Sequence, residues 1–203
     1  RVKDIDTMIN LLKSLGSEIK FNKNRKIVKI TKKKKQNFFA SYSLVRTMRA
    51  GILVLGALVA KHQKSITSLP GGCLIGARPV NYHLNALKKL GMKYDIKKGY
   101  IHAHTKEKLK GAKIRFSKIS VGATENTIIA ACLANGITIL RNCAIEPEII
   151  DLINFLKSGG AKIKFIGKRT VKIEGIKSLE STSYSVMSDR IETGTFCVAA
   201  CLT

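Results

Sequence analysis

Ile153–Phe165 reads INFLKSGGAKIKF, and near-copies stand at Ile9–Phe21, INLLKSLGSEIKF, and at Leu84–Ile96, LNALKKLGMKYDI. Each copy has Asn in second place (Asn154, Asn10, Asn85), then a Leu-Lys pair, then a glycine (Gly160, Gly16, Gly91). Apolar residues at helical spacing ahead of such a glycine predict an amphipathic helix that ends there. The residues after each glycine predict a strand. A second short β-branched stretch follows each time: KIVKI from Lys26, GYIHA from Gly99 and TVKIEG from Thr170.

Another element also recurs. TMRAGILVLGALVA (Thr47–Ala60), ATENTIIAACLANG (Ala123–Gly136) and RIETGTFCVAACLT (Arg190–Thr203) are small-residue apolar helices. The first two run into SITSLP and ITILRN, which read as strands. The glycines of the first element lie roughly 70 residues apart, too far for solenoid repeats, so the chain reads as about two and a half copies of one unit. That unit is helix–strand–strand–helix–strand. Helices apolar all round belong in the middle of a structure, with sheets outside. The expected fold is α/β, an inside-out, barrel-like domain of repeated helix–strand units with buried helices and pseudo-threefold symmetry. The chain opens on a helix at Arg1 and stops inside one at Thr203, so both ends are expected to be cut.

The composition adds a second constraint. A hydrophobic share of 45% fits a folded domain, while 37 Lys and Arg against 13 Asp and Glu give a net charge of +24. Such a charge attracts phosphate-bearing partners. Specific nucleic-acid recognition favours clustered Arg and interleaved aromatics. Here Lys is scattered and aromatics are 6%, a pattern that codon drift in an AT-rich genome also gives. No specific nucleic-acid partner is expected. The run Lys32–Lys35 reads as a solvated turn. Cys73, Cys132, Cys143, Cys197 and Cys201 contain no CxxC pair, which argues against a zinc site or disulfide framework and for a reducing cytoplasm. The longest apolar run, Ala50–Ala60, is too short to span a bilayer.

Chemistry is concentrated in two loops. SLPGGCLIGARP, Ser68–Pro79, puts Cys73 on glycine-rich backbone and Arg78 just before Pro79, which is expected to be the first residue of a helix. A thiol beside a helix N-terminus and a guanidinium has a lowered pKa, and it can donate a proton or attack an electrophile. A spectator cysteine in a flexible hairpin is the plain alternative. In KISVGATENT, Lys118–Thr127, the backbone of Ser120, Gly122 and Thr124 is placed ahead of a helix to hold a phosphate, with Lys118 adding charge. An ordinary N-terminal cap explains the same residues. Asp189 and Glu192 form a capping box, and Pro147 starts a helix. His102 and His104 share one strand face without a third ligand, so no metal is expected.

SLPGGCLIGARPVNYH, KISVGATENT, NCAIEPEIIDLINFL and SDRIETGTFCVAA together resemble the UDP-N-acetylglucosamine 1-carboxyvinyltransferases, a family of enolpyruvyl transferases, along essentially the whole chain. The resemblance implies two inside-out α/β domains. Residues 1–186 would be most of one, and residues 187–203 the first helix of the other. It implies transfer of the enolpyruvyl group of phosphoenolpyruvate to the 3-hydroxyl of UDP-N-acetylglucosamine, the first committed step of peptidoglycan synthesis. Cys73 matches the family's proton donor, which also forms a covalent adduct with phosphoenolpyruvate and is alkylated by fosfomycin. No other cofactor is implied. Arg49 and Arg78 match substrate-binding arginines, Pro79, Val80, Asn81 and Tyr82 the uridine segment, and Lys118, Ile119, Ser120 and Val121 the diphosphate segment. Asn81 stands where the family usually has Asp, and Tyr82 where Leu is usual; the first exchange removes a charge but keeps an acceptor, so weaker nucleotide binding is expected from it. The family's Lys-Asn pair would precede Arg1 and its aspartate base would follow Thr203, so these 203 residues are expected to show no turnover alone. Two other readings remain: a catalytically dead basic remnant that binds nucleotides or RNA, and the shikimate-pathway transferase, which lacks the cysteine loop.

Overall fold

In a computed structural model, residues 3–22, 24, 26–33, 35–71 and 79–203 are described. Three amphipathic helices end as the repeats predict. Helix α1 (Lys3–Ser14), α4 (Asn81–Lys89) and α6 (Pro147–Ser158) are followed by Gly16, Gly91 and Gly160 at φ +94°, +103° and +91°. These are left-handed conformations that glycine adopts without a Cβ penalty. A hairpin follows each helix: β1 (Ser17–Asn22) with β2 (Ile27–Lys32), β5 (Lys93–Lys97) with β6 (Tyr100–His104), and β9 (Lys162–Gly167) with β10 (Thr170–Glu174).

The remaining strands are β3 (Phe39–Ala40), β4 (Lys64–Ser68), β7 (Lys113–Arg115) and β8 (Ile137–Arg141). Two sheets have the same plan. β3 runs parallel to β4, which pairs antiparallel with β6 of the next unit's hairpin. β7 runs parallel to β8, which pairs antiparallel with β10 in the same way. Every four-stranded sheet therefore joins two consecutive units, and the β1–β2 hairpin forms a sheet of its own. The sheets stay separate, so the α/β architecture of repeated helix–strand units stands without a closed barrel among the described residues.

The buried-helix expectation holds for two copies. A short helix, α2 (Tyr42–Val45), and a 3-10 turn, Arg49–Ile52, lead into α3 (Leu53–His62), and α5 is Val121–Ala131. Leu55 and Val59 of α3 face the main core, with Leu87, Ile101, Ile128 and Leu140; Val54 and Leu58 face a smaller core with Leu11, Val45 and Met48. A helix buried on both sides needs no polar face, which accounts for its uniformly apolar sequence.

The third copy departs from its siblings. Helix α7 (Arg190–Leu202) has no buried residue and exposes Ile191, Phe196, Val198 and Leu202. Its capping box is real on one side, since Asp189 Oδ1 accepts from the N–H groups of Ile191 at 2.8 Å and Glu192 at 3.2 Å. The strand-free segment before it is strapped to α6. Tyr184 donates to Asp151 at 2.8 Å, and Arg190 makes a two-pronged ion pair with Glu148. Among the described residues, no helix is long and apolar enough to cross a membrane.

Candidate functional site

The start of three helices meets at one cavity of about 770 Å³. The 3-10 turn ahead of α3 brings Arg49, and the entry to α4 brings Pro79, Tyr82 and His83. The segment Lys118–Gly122 leads into α5, whose second turn adds Glu125. Helix N-termini carry free N–H groups and partial positive charge, so their convergence favours an anion. Arg49 and Lys118 add full charges to the same wall.

The local chemistry of α5 separates cap from site. Ser120 is the N-cap, and its Oγ accepts from the N–H of Ala123 at 3.3 Å. The N–H groups of Val121 and Gly122 precede the first intrahelical donor, the Thr124 N–H bonded to the Ser120 carbonyl, and stay open at the helix end. Thr124 is not available for a phosphate. It lies inside α5, fully buried; its hydroxyl donates to the Ser120 carbonyl at 2.8 Å and accepts from the Ala144 N–H at 3.1 Å. The helix starts at Val121, earlier than the sequence suggests, because a small residue such as Thr124 marks a cap or an interior equally well.

Helix α4 is corrected the other way. It begins at Asn81, with Val80 as N-cap at φ −85°, ψ 2°, so Pro79 precedes the helix instead of opening it. The first helical bond runs from the Leu84 N–H to the Val80 carbonyl. Val80 packs on the core and Asn81 is exposed; neither lines the cavity. Of the remaining site residues, Arg49, Pro79, Tyr82, Lys118, Ile119, Ser120 and Val121 are brought to one wall. Cys73 and Arg78 lie outside the described residues. Tyr82 also borders a second cavity, of about 560 Å³.

Two titratable lining residues, His83 and Glu125, are not themselves signalled by the sequence. His83 is 4% exposed; burial, and then the nearby Arg49, pull its pKa down to about 4. Glu125 is held above the usual carboxylate range by burial and then by Glu148. Each lies beside or one turn beyond a residue already singled out, Tyr82 and Val121, which is the only signal that could have found them. Cys132 and Cys143 are buried, and burial pushes their thiols up to about 12 and about 11, so neither is a nucleophile near neutral pH. Cys197 and Cys201 are exposed on α7. Among the described residues no cluster of His, Cys, Asp or Glu suits a metal ion.

Residues 1–203 match the EPSP synthase (3-phosphoshikimate 1-carboxyvinyltransferase) family. A UDP-N-acetylglucosamine 1-carboxyvinyltransferase of Pelagibacter ubique is 64% identical over 203 residues, which is 100% of this chain and 48% of that protein. One of the same name from Shewanella amazonensis is 50% identical over 202 residues, again 48% of its length. The chain thus spans about half the length of the curated relatives it matches. Among solved structures, the enolpyruvyl transferase NikO of Streptomyces tendae superposes with a TM-score of 0.82 at 18% identity, over 98% of this chain and 47% of that one. EPSP synthase of Acinetobacter baumannii gives 0.73 at 18%, over 100% and 46%. At that identity the structural likeness concerns the fold.

Proposed function

The chain belongs to the EPSP synthase (3-phosphoshikimate 1-carboxyvinyltransferase) family, and on that premise we propose that it is the nucleotide-sugar-binding part of a UDP-N-acetylglucosamine 1-carboxyvinyltransferase. In this reading the 3-hydroxyl of the sugar gives its proton to a base outside these 203 residues and adds to C2 of phosphoenolpyruvate, while the Cys73 thiol protonates C3. Loss of a C3 proton and of phosphate then leaves the enolpyruvyl ether. The second catalytic half lies in residues this chain does not contain, and α7 belongs with that half. The reaction would serve peptidoglycan synthesis in the cytoplasm, and fosfomycin would label Cys73.

One observation carries the reading. Three segments far apart in sequence, each matched to substrate binding by resemblance, supply one cavity wall at the starts of three helices. The names of the relatives at 50–64% identity favour the nucleotide sugar over 3-phosphoshikimate as acceptor.

Calorimetry on the 203-residue chain tests it. UDP-N-acetylglucosamine is expected to bind, 3-phosphoshikimate not, and Arg49→Ala to weaken binding about tenfold, the loss of one charge-assisted contact. Intact-mass mapping after fosfomycin treatment is expected to place the adduct on Cys73, with Cys197 and Cys201 as exposed controls. Binding of 3-phosphoshikimate alone, or alkylation shared equally with the α7 cysteines, would overturn the assignment. Phosphate release by this chain alone would contradict the placing of half the active site elsewhere.

A further inference from the structure

Asn126 is fully buried where α3, α4 and α5 meet. Its Oδ1 accepts from the Gly56 N–H at 3.0 Å, and its Nδ2 donates to the Ile52 carbonyl at 3.1 Å. These two main-chain partners fix the amide, because reversing it would set NH₂ against N–H and oxygen against carbonyl. The same Nδ2 lies 3.1 Å from Nδ1 of His83. An amide nitrogen only donates, so Nδ1 must accept and the ring proton must sit on Nε2.

The Nε2 edge of the ring turns to the cavity. A Cβ built on Gly122 would lie 3.2 Å from Cε1 and 3.5 Å from Nε2 of His83, and both residues line the cavity. Among the described residues the sealed side-chain atoms without a partner are the hydroxyls of Thr105 and Thr138, so Nε2 is not one of them. An N–H donor thus stands beside the open N–H groups of Val121 and Gly122.

We propose that His83 is a further ligand-binding residue, whose Nε2–H, set by Asn126, donates to a diphosphate oxygen of the nucleotide at the α5 N-terminus. This rests on the nucleotide reading above. The imidazole does so as a neutral donor: burial and Arg49 keep it uncharged near neutral pH. Asn126 acts through His83 as a positioning residue.

The test uses the 203-residue chain with UDP as probe. ¹⁵N spectra of the imidazole are expected to give a neutral Nε2–H form from about pH 5.5 to 8, with the Nε2 resonance moving when UDP is added. Two variants separate ligand contact from packing. His83→Gln keeps an N–H donor near Nε2, and His83→Asn keeps only a polar group near Nδ1. We expect His83→Gln to bind UDP within about threefold of the parent and His83→Asn about tenfold more weakly. An Nδ1–H tautomer, or a cationic ring near pH 7, would overturn the proposal. So would UDP binding that leaves Nε2 unmoved and both variants alike. If the parent chain binds no UDP at all, the nucleotide reading itself fails and takes this inference with it.

Discussion

Asn126, fully buried, bonds the Gly56 N–H, the Ile52 carbonyl and the His83 ring at once. Asn126→Ala would leave a void and take the donor from His83 Nδ1, while the Gly56 N–H and the Ile52 carbonyl, four residues apart at the start of α3, can still bond each other; a loss of about 2 kcal/mol is expected, readable as a lower urea midpoint. The His83 prediction follows from its protonation. Its folded pKa is about 4 against 6.5 unfolded, so the unfolded chain binds the extra proton first. Its contribution is complete above pH 6.5 and is lost as pH falls toward 4, in total roughly 3 kcal/mol. Glu125, with a raised pKa, acts with the opposite sign, since protonation relieves its burial as pH falls. The difference in stability between the parent and His83→Gln removes that background, and this difference is expected to shrink on acidification. Lys118 was legible in the sequence because charge next to a helix start has a local meaning, whereas Arg49 was marked by the family resemblance alone. The His83–Asn126 pair was not, because its two halves are 43 residues apart and meet only when α4 packs on α5.

Elements show the same division between local and distant causes. The helix stops at Gly16, Gly91 and Gly160 could be read directly, since a left-handed residue is specified by its own lack of a side chain. Strands β3 and β7 could not. With two and three residues they carry no periodicity, and they exist because β4 and β8 offer parallel edges to pair with. The crossing of α3 and α5 has a similar origin. Their apolar small-residue sequences announce burial but not the point of closest approach, which is Gly56. A Cβ there would press on the Asn126 side chain and lie 2.7 Å from the Asn126 carbonyl oxygen. Gly56→Ala is therefore expected to destabilise by about 2 kcal/mol, even though alanine is the better helix former, because overpacking outweighs propensity. A thermal midpoint at or above the parent's would show that the two helices have room to separate.

At the scale of the whole molecule, the sequence repeats revealed the units but not how they are sewn together. Each four-stranded sheet takes strands from two units, so no unit is complete alone, and a helix such as α7 can share its siblings' apolar character while exposing Phe196 and Leu202. The charge of +24 is likewise a property of the whole surface, and its meaning depends on where it sits. The described basic residues at the cavity are Arg49 and Lys118, whereas Lys20, Lys29, Lys88, Lys93, Lys106 and Lys168 stand on outer strands, helices and turns. Two modes of anion binding then differ in their response to salt. A nucleotide held by two cations, helix N-termini and neutral donors displaces few counterions, so its affinity is expected to fall by about tenfold or less between 50 and 500 mM salt. RNA spread over the lysines would release many, and its affinity would fall by about a thousandfold over the same range. Parallel titrations of UDP-N-acetylglucosamine and a structureless RNA across that series decide between them. A salt-resistant nucleotide beside a salt-sensitive RNA assigns the cavity to substrate and the lysines to diffuse attraction. Equal steep slopes for both would mean that the dispersed charge, not the geometry at Arg49 and Lys118, holds the nucleotide.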